Sequence, residues 1–160
     1  MRRRLTCLLL LSATIAATAL FPAFVNGHPG LLVEAAAGLL DEATPEDRIK
    51  AEVEEETGYR VDHVRKIFEA FMSPGSVTEK LHFFVAEYDG SSKVAHGGGN
   101  RTEGEDIEVI ELPINEAIKA IASGAIEDGK TIMLLQYACM HLFNQGDSRE
   151  IAEAPEVPLR

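Results

Sequence analysis

The residues best suited to chemistry are the carboxylates of one short run, Glu52-Val53-Glu54-Glu55-Glu56. Glu52 and Glu56 stand four apart, and Glu55 is three from Glu52, so on a helix these three share one face. Like charges at that spacing cost a helix roughly 0.2–0.5 kcal/mol per pair. Something must offset the repulsion. A hard divalent cation such as Mg²⁺, which prefers carboxylate oxygens and retained waters, meets that need. A solvated acidic helix face is the plain alternative, and this run alone does not separate the two.

The flanks define the element that carries the run. Thr44 suits the N-cap, Pro45 the first helical position and Gly58 the C-terminal stop, so a helix is expected over 44–57. Ile49 and Val53, four apart, give it a core-facing side. Leu31 to Ala36 reads as a strand leading into the glycine turn at Gly38. Val64 to Met72 and Lys80 to Tyr88 read as a strand pair joined by the turn Ser73-Pro74-Gly75-Ser76. Asp89 to Gly104 is a Gly/Ser-rich loop, and Ile107 to Leu112 is a further strand. Helical spacing marks 114–123, stopped by Gly124, and again 130–143. Strands interleaved with helices indicate an α/β or α+β layered domain.

With its flanks, the acidic run resembles the Nudix box, G-x5-E-x7-R-E-U-x-E-E-x-G-U, where U is bulky and apolar. Glu52 falls on the glutamate of the R-E pair, Glu55 and Glu56 on the E-E pair, Gly58 on the closing glycine and Tyr59 on the last apolar position. The box's first glutamate falls on Thr44 and its arginine on Ala51, and the spacing is one residue short. Arg48, one turn before Glu52, is a candidate replacement for that arginine. GLLDEATPE, EETGY, FMSPGSVTEKLHFFVAEY, GGG, EDIEVIELP and DGKTIMLLQY together are similar to the GDP-mannose pyrophosphatases of the Nudix superfamily, which share the shortened box. Pro74, sixteen residues after Gly58, matches a proline of nucleoside-diphosphate-sugar and ADP-ribose hydrolases of that superfamily.

The resemblance implies an α/β/α sandwich, incomplete at its N-terminus, and a Mg²⁺-dependent (or Mn²⁺-dependent) hydrolase of nucleoside diphosphate sugars. It implies metal ligands at Glu52, Glu56, Glu105 and the main-chain carbonyl of Ala37. Glu105 and Glu55 are the implied catalytic carboxylates, with Glu103 as the fallback for Glu105. Substrate contacts are implied at Ala37, Gly38, Glu56, Glu79, Glu105 and Lys130. The glycines Gly97-Gly98-Gly99 are expected to be mobile and to let the following loop close over substrate. A homodimer is implied too, but the missing N-terminal strands put it in doubt. ADP-ribose or another sugar nucleotide remains an alternative substrate, and a silent metal- or nucleotide-binding chain an alternative role.

Composition excludes some classes. The 160 residues carry 26 acidic and 15 basic side chains, a net charge of −11, which argues against a protein that grips nucleic acid through phosphates. Two cysteines, Cys7 and Cys139, imply no disulfide framework. The five histidines share no metal-ligand spacing, and no Walker loop or nucleophile elbow is present.

Residues 1–23 form a leader: Arg2-Arg3-Arg4 before an apolar run, Leu5 to Leu20, in the grammar of an export signal. It reads either as a genuine signal or as a misread gene start, with a cytoplasmic enzyme expected in the second case. The run lacks the alternation of a half-buried strand and so is not expected to replace one. Residues 24–143 form the catalytic domain, and 144–160 a polar tail expected to be disordered.

Overall fold

In this computed structural model the described residues are 4–11, 14–20, 31–40, 42–100 and 107–143, with the backbone alone described at 4–11, 14–20 and 31. The expected leader thus falls partly, and the expected tail wholly, outside them.

Seven strands make two sheets. They are β1 (Arg4–Leu11), β2 (Thr14–Leu20), β3 (Leu31–Glu34), β4 (Ala36–Leu39), β5 (Arg65–Phe71), β6 (Lys80–Glu87) and β7 (Ile107–Leu112). One sheet has the order β4-β1-β6-β5 and the other β3-β2-β7. The helices are α1 (Pro45–Thr57), α2 (Ile114–Ala122) and α3 (Gly129–Ala138), the last running into a π-helical turn over Cys139–Phe143. The expected strand over 31–36 divides at Ala35. There the chain leaves the three-stranded sheet for the four-stranded one, and the buried Ala35 N–H donates to Thr131 Oγ1 at 2.7 Å.

Strand β6 fixes the layers. Leu81, Phe83 and Val85 enter a core with Ala117, Ile126, Leu134, Leu135 and Ala138 of the α2–α3 region. Phe84 and Ala86 enter a second core with Ala36, Ile49 and Val53 on the α1 side. Alternate residues therefore serve opposite faces of one strand, and helices cover both faces, as an α/β/α sandwich requires. The expected hairpin is present: β5 pairs antiparallel with β6, with one irregularity between Lys66 and Phe68.

The leader run departs from expectation. β1 lies between β4 and β6, antiparallel to the first and parallel to the second, and β2 lies between β3 and β7. Alternation marks a strand with one wet face. A parallel-paired strand inside a helix-covered sheet reads instead as a continuous apolar run, as LTCLLLL does. The pairing sets Thr6 opposite Gly38 and Cys7 opposite Ala37, so Gly38 stands within β4 and not in the turn expected there, and this segment borders it.

Candidate active site

The site is built on α1. Thr44 has extended backbone, and its side chain accepts from Asp47 N–H at 3.2 Å, while Pro45 opens the helix. Ile49 and Val53 are fully buried against Phe84 and Ala36. That anchorage turns the next helical positions, Glu52 and Glu56, towards the sheet, where they are 5% and 7% exposed. Burial of two carboxylates one turn apart is the feature that a merely solvated acidic face would not show.

Glu52 is held from two sides. Arg48 Nη2 forms an ion pair with Glu52 Oε1, filling the role expected of it where Ala51 cannot. On the other side lies Gly38, buried in β4. A Cβ there would overlap the Glu52 carboxylate, so glycine alone lets that group lie against the strand next to Ala37. Ala37 is half-buried and Glu55 exposed. Glu54, the remaining acid of the run, is directed elsewhere. It takes Arg60 Nε at 2.9 Å and Nη2 at 2.7 Å, and the Arg60 guanidinium holds its carboxyl below the usual range.

Beside α1 is an open hollow of about 500 Å³ lined by Ala51, Glu54, Glu55, Ala95, His96 and Gly97. The short side chain of Ala51 helps to shape it. The candidate donors are hard oxygen atoms, the buried carboxylates of Glu52 and Glu56 on α1 and the Ala37 carbonyl beside Gly38, chemistry that fits a divalent cation of the Mg²⁺ type. Among the described residues no group of three or more His, Cys, Asp or Glu side chains stands in metal-binding geometry. The expected further carboxylate, Glu105, and its fallback Glu103 lie outside the described residues.

The glycine run differs from expectation. Gly97-Gly98-Gly99 is docked on the C-terminal end of α1, where Gly98 N–H donates to Glu56 O at 2.8 Å and Gly99 N–H to Glu55 O at 3.2 Å. Gly58 N–H takes Glu54 O at 2.9 Å, and Lys93 Nζ reaches Thr57 O at 2.8 Å. All four carbonyls that a helix end leaves open thus have donors, three of them from residues 93–99. No basic residue stands in the last turn of α1, and Lys93 supplies the favourable cation from a distant loop. It also lies 4.4 Å from the centroid of the Tyr59 ring. No local sequence signal marks Lys93 for this role.

Lys130 sits at the start of α3, as expected, but its ammonium is engaged by protein. It pairs with Glu34 and, at 3.0 Å, with Asp128, at 12% side-chain exposure. Burial acts to lower its pKa, and the two carboxylates with their hydrogen bonds outweigh that, holding it above the usual lysine range. Asp128 also caps α3 through Thr131 N–H at 2.9 Å. The chain's own carboxylate, Asp128, therefore occupies this helix start. Glu79 is half-buried just before β6. Gly38 and His82 both pair with Thr6, two strands or roughly 10 Å apart, so Glu79, three residues before His82, lies at the same end of the sheet at roughly 14 Å from Gly38. His82 is buried with Nδ1 3.1 Å from Glu69. Lys66 and Lys80 hydrogen-bond to Glu69 and hold its carboxyl down at about 2. Cys139 is a half-buried free thiol.

No protein-family profile matches the chain. Curated sequences do. A GDP-mannose pyrophosphatase of Yersinia enterocolitica is 60% identical over 121 residues, which is 75% of this chain and 62% of the relative. One from Pectobacterium atrosepticum is 59% identical over 118 residues, 73% of this chain and 60% of the relative. The chain spans about three fifths of the length of these relatives. Among solved structures, an ADP compounds hydrolase superposes with a TM-score of 0.69 over 90% of this chain and 75% of that chain, at 15% identity, a likeness of fold. The matched three quarters of this chain is thus similar to GDP-mannose pyrophosphatases, on an α/β fold like that of the ADP compounds hydrolase.

Proposed function

We propose that the chain is a metal-dependent pyrophosphohydrolase that cleaves GDP-mannose to GMP and mannose 1-phosphate. The observation that carries this reading is the pair of buried carboxylates, Glu52 and Glu56, one turn apart on α1, with Glu52 lying against Gly38 of β4. The identity to GDP-mannose pyrophosphatases supports the choice of substrate.

In the reaction a water oxygen bonds to one phosphorus of the pyrophosphate, and the bond from that phosphorus to the bridging oxygen breaks. The bridging oxygen leaves on the second phosphate, and a water proton passes to a base. A bound Mg²⁺ or Mn²⁺ would offset phosphate charge and lower the pKa of water. Glu52, Glu56 and the Ala37 carbonyl are the groups to hold it, with Glu105 from the loop before β7. Arg48 fixes the Glu52 carboxylate. Glu55, at the rim of the hollow, is placed to orient water or to act as a further ligand. A cytoplasmic location and a homodimer belong to the same reading. Among the described residues no helix is long and apolar enough to cross a membrane.

The test is release of GMP from GDP-mannose by residues 1–160 with Mg²⁺, beside a parallel assay with ADP-ribose. Metal-dependent GMP release supports the proposal. Preference for ADP-ribose moves the substrate while keeping the chemistry. No hydrolysis of either, by a folded and metal-loaded chain, leaves a silent binding protein.

A further inference from the structure

Gly58 and Gly97 meet back to back, and both need the left-handed backbone, each with φ of 74°. A Cβ on Gly97 would stand 2.5 Å from the Glu56 carbonyl oxygen, and one on Gly58 would strike the Ala95 carbonyl. An L side chain at either place meets backbone, which cannot rotate away. Gly98 has a double engagement. Its N–H holds the Glu56 carbonyl at 2.8 Å, and its own carbonyl accepts Ile107 N–H, where β7 begins, at 3.2 Å. Val94 and Ala95 N–H groups close on the Gly58 carbonyl at 2.9 and 3.1 Å. The end of α1, the start of β7 and the 94–99 segment are thus one hydrogen-bonded unit.

We infer that Gly97 is a positioning residue that locks the Glu55–Glu56 end of α1 to the base of β7. Its missing side chain allows segment 97–99 to seat on the carbonyls of the two residues whose carboxylates face the site. The placing of Glu56 at the end of α1 then depends on a contact made from the 97–99 segment, far downstream in the chain. This inference rests on the proposed metal role of Glu56 for its functional meaning, but the clamp itself does not.

Two measurements test it. In the metal-free full chain, the amides of Gly98 and Gly99 should exchange at least about 100-fold more slowly than that of Gly75 in its exposed turn. Exchange at the Gly75 rate overturns the clamp whether or not any variant folds. Mn²⁺ affinity, read by electron paramagnetic resonance, is then compared between Gly97→Ala and Gly124→Ala. Gly124 shares a φ of 77° but its Cβ would meet only the Glu127 side chain at 3.6 Å, so it controls for backbone strain alone. Gly97→Ala should weaken Mn²⁺ about ten-fold, and Gly124→Ala less than about two-fold. Equal affinities in the two variants overturn the positioning role. A parent chain that binds no Mn²⁺ sinks the metal reading instead, while slow exchange still upholds the clamp.

Discussion

Two regions bury charge, and they do it in opposite ways. At the start of α3, Lys130 is interleaved with Glu34 and Asp128, and Asp128 spends its other oxygen on the helix cap. On α1, Glu52 and Glu56 are gathered like with like on one face, with Arg48 the cation at Glu52. The first arrangement is balanced largely from within the chain and has a structural purpose. The second tolerates repulsion that the fold alone has no need of, which is the usual mark of a site shaped for a ligand. Two buried carboxylates are therefore more informative here than a buried lysine.

The contrast is broken most severely at Glu56. Glu56→Gln removes charge while keeping shape, and should lower turnover roughly a thousand-fold, about 4 kcal/mol of transition-state stabilisation. Its metal-free melting temperature should hold or rise, since a like-charge pair is relieved. Unchanged turnover would remove Glu56 from the site.

Lys130→Met probes the other side and should act on stability instead. It strands Glu34 and Asp128, at a cost of about 3 kcal/mol read by urea unfolding. A variant that unfolds like the parent but has a much raised KM would return Lys130 to the substrate contacts and erase the contrast.

Arg48→Ala sharpens the α1 half. Turnover should fall about ten-fold as Glu52 loses its orienting partner. Adding Ala51→Arg in the same chain should recover most of the loss, because that position also adjoins Glu52. Failure of this rescue would reduce Arg48 to a surface ion pair.

The smallest effect is expected at Tyr59, which ties the end of α1 to β7 by donating to Glu111. That hydrogen bond, helped by burial, pushes the phenol up to about 12. A folded pKa above the unfolded value of 10.0 means stability present below pH 10 and lost as pH rises through about 12. Tyr59→Phe should flatten that alkaline loss and cost about 1 kcal/mol at neutral pH. An unchanged alkaline limb would show that the phenol does not titrate with unfolding.

What the sequence disclosed follows the range of the interactions. The α1 helix, its Thr44 cap, the β5–β6 hairpin and the Arg48–Glu52 pair involve neighbours within a few residues, or a periodicity, and all were legible. The docking of Gly97-Gly98-Gly99 was not. A glycine run reads as freedom, and only the fold shows that its freedom is spent on reaching the carbonyls of Glu55 and Glu56. The Lys130–Glu34 pair was hidden for the same reason, since Glu34 is far away in the chain. The leader strands were hidden by a different fault. Alternation was sought in a segment whose place inside the sheet calls for none.

The register that sets Arg4 beside Lys80 has a consequence for biosynthesis. β1 leaves the ribosome early, and its parallel partner β6 follows only after α1 and β5 have been made. β4 is made sooner and can pair with one edge, but at typical elongation rates the other edge waits on the order of ten seconds for β6. During that wait LTCLLLL keeps an open, strongly apolar edge, the kind of segment prone to aggregate while exposed. Yield in cells should therefore depend on translation speed and chaperone supply more than on the stability of the finished fold.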